Sequence, residues 1–168
     1  MEKFLNVPVF KLVSNGTTTA GTTDKLTDSS ATFETDGVAI GDIVHNSADN
    51  TYTTVTAIDS ETVLSVATTV PTSKTYFIHS GTVSNSQLVS GSGVLLVEQA
   101  STSTVTITYE GAAAADVVTL THTPVASGSE AVRDLIEESI VKGYSSSWTD
   151  VSHDVSTLPN KVIGISIG

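Results

Sequence analysis

A chain of 168 residues without cysteine can hold one ordinary domain or two small ones, and it excludes disulfides and thiolate metal sites. Its formal net charge is −11, with 7 Lys and Arg against 18 Asp and Glu, so its surface repels phosphate backbones and anionic membranes and neither is expected as a partner. About three in ten residues are Ser or Thr, which together with abundant Val suits pleated strands rather than disorder.

The opening MEKFLNVPVFKLV does not read as a signal peptide, because Asn6, Pro8 and Lys11 break its apolar run. Phe4 to Val13 reads as a first strand. Pro8 assigns it to an edge or a terminal arm, since proline cannot donate to a ladder. Ser14–Asp24 reads as a loop, and its sequon Asn15-Gly16-Thr17 as a turn. From Lys25 to Ile78 short strands alternate with turns: Asp42–Asn46, Thr51–Ile58, Thr62–Ala67 and Thr75–Ser80. That spacing predicts a small barrel or a curled meander.

Ser80–Gly93, rich in Ser, Gly and Asn, reads as a linker. Beyond it Val94–Ala100 opens with an unbroken apolar run, as expected of a strand covered on both faces. Thr104–Glu110 alternates Thr with Val105, Ile107 and Tyr109 and pairs with Asp116–His122 across a Gly111–Ala115 loop. One strong helix follows, spanning Ser129–Lys142. Ser127 and Glu130 have capping-box spacing, Val132, Leu135, Ile136 and Ile140 share a face, and Gly143 is the expected stop. Trp148 and Val151 are expected to pack, and Lys161–Gly168 is a last strand. The expected organisation is a strand or arm at 1–13, a small barrel-like module at 14–80, a linker at 81–93 and a helix-covered sheet at 94–168. The fold class is mainly β (α+β).

Candidate chemistry is sparse. Asp36, Asp42, His45, Asp49 and Asp59 crowd one stretch, but Asp36, Asp49 and Asp59 stand at turn positions, where a carboxylate bonds nearby amides. No run has the alternating ligands and glycine of a calcium loop. His122, His153 and Asp154 with Ser145, Ser146 and Ser147 lack the strained nucleophile turn of a hydrolase. Glu137 and Glu138 are adjacent on a helix and point apart. No catalytic, cofactor or metal residue is assigned and no cofactor is expected. The chain is read as a non-enzyme.

The segment KLTDSSATFETDGVAIGDIVHNSADNTYTTVTAIDSETVLSV resembles small β-modules of tailed-bacteriophage structural proteins. The later segments GVLLVEQASTSTVTITYEG, DVVTLTHTP and SEAVRDLIEESIVKGYSSSW are similar to virion proteins of marine and cyanobacterial phages. The resemblance implies a capsid decoration, or cement, protein on the outer surface of a phage head. Its partners would be the major capsid protein and its own copies, with a trimer the expected oligomer. The terminal strand and the N-terminal arm could add to a neighbour's sheet, or both could complete the chain's own sheet, the reading preferred for the C-terminal strand. No functional residue carries over, because such modules act through surfaces. A tail, neck or fibre-associated protein and a host-surface glycan-binding adhesin domain are the alternatives.

Overall fold

The structure is a computed structural model that describes residues 2–110, 116–155 and 160–168. The expected Gly111–Ala115 loop lies outside them. In chain order the elements are β1 (Phe4–Val9), β2 (Leu12–Thr17), β3 (Lys25–Thr27), α1 (Phe33–Asp36), β4 (Ile43–Asn46), β5 (Thr51–Ser60), β6 (Val63–Val66), β7 (Thr75–His79), β8 (Asn85–Ser90), β9 (Val94–Ser101), β10 (Thr104–Tyr109), β11 (Val117–His122), α2 (Ala131–Ser145), β12 (Ser152–Asp154) and β13 (Val162–Ile167). The fold is β-rich with one long helix, as the sequence predicts. It divides into two compact units, Phe10–Thr82 and the pair of segments Met1–Val9 and Val83–Gly168.

The contiguous unit is a curled six-stranded sheet in the order β2-β7-β4-β5-β6-β3. Its core holds Leu26, Phe33, Val44, Val55, Leu64, Tyr76 and Ile78. The sequence read Phe4–Val13 as one strand and Ser14–Asp24 as a loop. Instead the chain breaks after Val9, and Leu12–Thr17 forms β2 against β7. Gly16 is there for a reason of space: a Cβ would overlap the Asp28 carboxylate and the Tyr76 hydroxyl. Tyr76 donates to Asp28 Oδ2 at 2.8 Å inside that core. The single-turn α1 was not anticipated. The Glu61 carboxylate caps it, accepting from the Glu34 and Thr35 amides at 3.0 and 3.1 Å and satisfying donors that a helix start leaves open.

The discontinuous unit is a seven-stranded sheet with the order β12-β1-β13-β11-β10-β9, and β8 pairs with β1. Two expectations fail here. The expected linker 81–93 contains β8, which matches β1 antiparallel over Phe4–Val9. The expected edge strand or arm is β1, a strand but not an edge: it is buried at Leu5 and Val7 and flanked by strands on both sides. Pro8 is tolerated because of backbone parity. Phe4 and Asn6 bond toward β12, so Pro8 turns its donorless nitrogen the same way. The β12 pairing ends at Asn6↔Asp154 and the β13 pairing is at Val9↔Val162, so no ladder pair among the described residues calls on the Pro8 nitrogen.

The helix packs on β1, β9 and β12. Val132 and Ile136 are fully buried, while Leu135 and Ile140 are half-buried against the same core. The expected capping box does not form. Glu130 is the N-cap without a side-chain bond, and Gln99 on β9 serves the first turn instead, accepting from the Arg133 amide at 3.4 Å. Gly143 does not stop the helix. It lies in the last turn, buried against β12, where a Cβ would stand 3.6 Å from that of His153.

Candidate interaction surface

Each carboxylate of the Asp36–Asp59 stretch has its own neighbours. Asp36 accepts from Ser14 Oγ and Thr32 Oγ1, at 2.8 and 3.0 Å. Asp42 accepts from the Ala39 amide at 2.9 Å and the Gly81 amide at 3.3 Å. Asp49 binds Asn46 and Lys74. Asp59 lies inside β5, not at a turn, and binds Lys25 and Ser65 at 2.9 Å each. The hydrogen bonds from Lys74 and Lys25 hold Asp49 and Asp59 below the usual carboxylate range. Among the described residues no three His, Asp or Glu side chains gather around a common point. The cluster is thus spread over separate turn and strand contacts.

His45 lies buried on β4 with its ring stacked on Tyr52, 4.4 Å between centroids. Its Nε2–H donates to Asn50 Oδ1 at 3.2 Å, and its Nδ1 is buried without a hydrogen bond. Burial lowers its pKa below the ordinary 6.5; the Asn50 bond opposes that, and the neighbouring His79 adds to it. His122, on β11, is as deeply buried but has both nitrogens engaged. Nδ1–H donates to the Thr123 carbonyl at 2.8 Å, and the Gln99 amide donates to Nε2 at 2.8 Å. Burial again lowers its pKa, with the Thr123 bond opposing.

The structure does not assemble the Ser, His and Asp residues weighed for hydrolysis. Ser145 Oγ donates to the Val141 carbonyl and Ser146 Oγ to that of Gly143. Asp154 accepts from Asn6. Glu137 and Glu138 face Arg133 and Lys142 as exposed helix pairs.

What stands out is apolar surface. Leu95 and Leu96 on β9 are 65% and 53% exposed, against the expectation of a strand covered on both faces. The reason is position: β9 ends the sheet, and among the described residues only β10 pairs with it. With Gly91, Val94, Ile140, Val141 and Tyr144 they line a groove of about 400 Å³ between β9 and α2. Tyr144 braces one end, its hydroxyl donating to the Gly91 carbonyl at 2.9 Å.

The loop after α2 belongs to the same end of this unit. Trp148, expected to pack, is 75% exposed. The cause is Lys3, only 7% exposed, whose ammonium donates to Ser146 Oγ at 3.1 Å, to the Ser147 carbonyl at 2.8 Å and to the Asp150 carbonyl. The loop turns its polar groups inward to this buried charge and its indole outward. Sequence reasoning missed these residues because their apolar pattern is that of a core. The signal available was the density of Leu and Val beside glycines in GSGVLLV.

No family model matches the chain, and neither a curated protein nor a solved structure matches it.

Proposed function

We propose that this protein is a non-enzymatic structural component of a virus particle, a decoration protein that binds the outer surface of a phage head as a homo-oligomer. The observation that carries the reading is the uneven apolar surface. Leu88, Leu95, Leu96, Val141, Tyr144, Trp148, Val151 and Ile167 are exposed on the discontinuous unit. Exposed Leu, Tyr and Trp in number mark a surface built for a protein partner. The resemblance of 25–66 to phage β-modules supports the same reading, and the net charge of −11 suits a position away from packaged DNA. The adhesive role moves from the terminal arms to fixed surface, because β1 and β13 are both paired inside their own sheet. A lattice of identical sites would multiply weak contacts, so an oligomer would hold firmly where one copy would not.

The test is location in the particle. Virions are disassembled, heads and tails are separated, and each fraction is probed with antibody. The protein is expected on intact heads, and heads stripped of it should lose resistance to heat and osmotic shock. Recovery with tails, or absence from virions, overturns the reading.

A further inference from the structure

We propose that the groove between β9 and α2 receives an extended segment of a partner protein, apolar at alternating positions and flanked by Lys or Arg, which adds to β9 as a further strand. The inference rests on the adhesive reading above and names the site and the partner's chemistry.

Three observations converge on an extended occupant. β9 runs for 8 residues and among the described residues is paired along one side only, so its other side presents backbone donors and acceptors to an incoming strand. Soluble proteins commonly blunt such an edge with Lys, Pro or a covering loop. Here the edge carries Leu95 and Leu96, both open to solvent. The helix supplies an apolar wall of Ile140, Val141 and Tyr144 along it. Alternate side chains of an added strand would meet that wall, while its backbone met β9.

Charge decides which strand fits. Glu137 lines the groove, and the Glu110 amide donates to the Gly93 carbonyl at 2.7 Å, which places that residue at the groove's glycine end. The nearby cations are engaged. Arg133 reaches Glu130 and Asp134 at 2.7 Å each and the groove's Glu137 at 3.9 Å, so three carboxylates share one cation, and Lys142 reaches Glu138 at 2.7 Å. A second copy would bring the same carboxylates against themselves, and like charges facing each other oppose association. A strand with basic flanks meets them with opposite sign.

The test uses the full-length protein and a synthetic peptide of about nine residues, Lys-Lys-Val-Thr-Val-Thr-Val-Lys-Lys, a length that matches an ordinary strand. Binding is followed by calorimetry, and amide shifts are followed by NMR. The expected result is saturable binding that perturbs β9 and α2 and weakens by about tenfold or more when the flanks become Glu. Replacing the central Val by Pro, which removes a backbone donor, should abolish it. Leu95→Arg and Val141→Arg, both at exposed positions, should abolish binding while melting stays unchanged. The inference is overturned if the peptide does not bind, or binds equally to both variants. It is also overturned if sedimentation shows the wild type associating through this groove, so that Leu95→Arg dissociates it. Failure of the decoration reading is separable. If the peptide binds but purified heads do not, the groove stands and the decoration reading falls. If Leu95→Arg binds heads as well as wild type, the groove assignment falls alone.

Discussion

Both units are built on an open β-sheet, but they treat their surfaces in opposite ways. The contiguous unit, Phe10–Thr82, puts hydroxyls and carboxylates on its turns; its large exposed apolar side chains are Ile40 and Tyr52. The discontinuous unit leaves Leu, Val, Tyr and Trp outside along β9, α2 and the loop that follows. The two differ inside as well. Asp28, buried in the contiguous unit, is held by Tyr76 and by the Ser30 amide, a polar contact that depends on an absent Cβ at Gly16. Around α2 the core is almost entirely aliphatic. One unit keeps nearly all its large apolar side chains inside, and the other carries the exposed apolar surface that the proposed partner would cover.

The strongest test of this division is a charge in one core. Ile136→Asp should cost about 4 kcal/mol or more, because an unpaired carboxylate in an aliphatic core is left without solvent or partner. The Tyr76 and Phe33 signals in NMR should survive in that variant. If they vanish with the rest, the two units are one cooperative body and the comparison fails. Next is Gly16→Ala, which forces the Asp28–Tyr76 pair apart and should cost about 2–3 kcal/mol, read as a lower midpoint in urea for the contiguous unit alone. Tyr76→Phe removes only the donor to a buried carboxylate and should cost about 1–3 kcal/mol. An unchanged midpoint would mean the buried pair contributes nothing.

A milder effect is expected from acid. The folded pKa values of His45 and His122 lie below 6.5, so between folded and ordinary values the unfolded chain binds more protons. Stability is therefore full above about pH 6.5 and falls as pH drops through the folded values. Protonated His122 would set an N–H against the Gln99 amide that now donates to it, whereas His45 would gain a charge inside a stacked, poorly hydrated site. His45→Gln should flatten the pH slope of the contiguous unit and leave that of the other unchanged; a slope that persists would place the acid response elsewhere. The smallest effect belongs to the exposed ion pairs. Asp59→Asn, which removes the partner of Lys25, should leave melting unchanged within a degree or so, since exposed pairs contribute little.

The fold was legible wherever its signal was local. The hairpin of β4 with β5, the alternation of β10 and the apolar stripe of α2 are written within a few residues of each other, and each stands where its periodicity places it. It was illegible where the partner is remote. Asn85–Ser90 is a polar string that reads as a linker, and it becomes a strand only because β1 offers a matching edge. Pro8 argued for an edge position, and the handover from β12 to β13 along β1 has no sequence signature. Trp148 was misplaced for a related reason. Burial of an indole is a sound default, but a lysine 145 positions earlier holds the polar side of its loop inward. For the candidate site, the sequence displayed its Leu-rich strand but not that the strand ends a sheet.

The central place of β1 fixes an order of events during synthesis. It leaves the ribosome ahead of all its partners, since β8, β12 and β13 begin at Asn85, Ser152 and Val162. The contiguous unit has all its strands once Thr82 has emerged and can close while β1 still waits. Domains that are contiguous fold as they appear, whereas long-range pairings carry a loop-closure cost and form late. Until α2 and then residue 152 are available, Leu5 and Val7 have only β8 to pair with, and the apolar face of β1 stays open. That interval is when this chain is most exposed to aggregation, and a chaperone that shields residues 4–9 would act on the nascent chain and not on the finished protein.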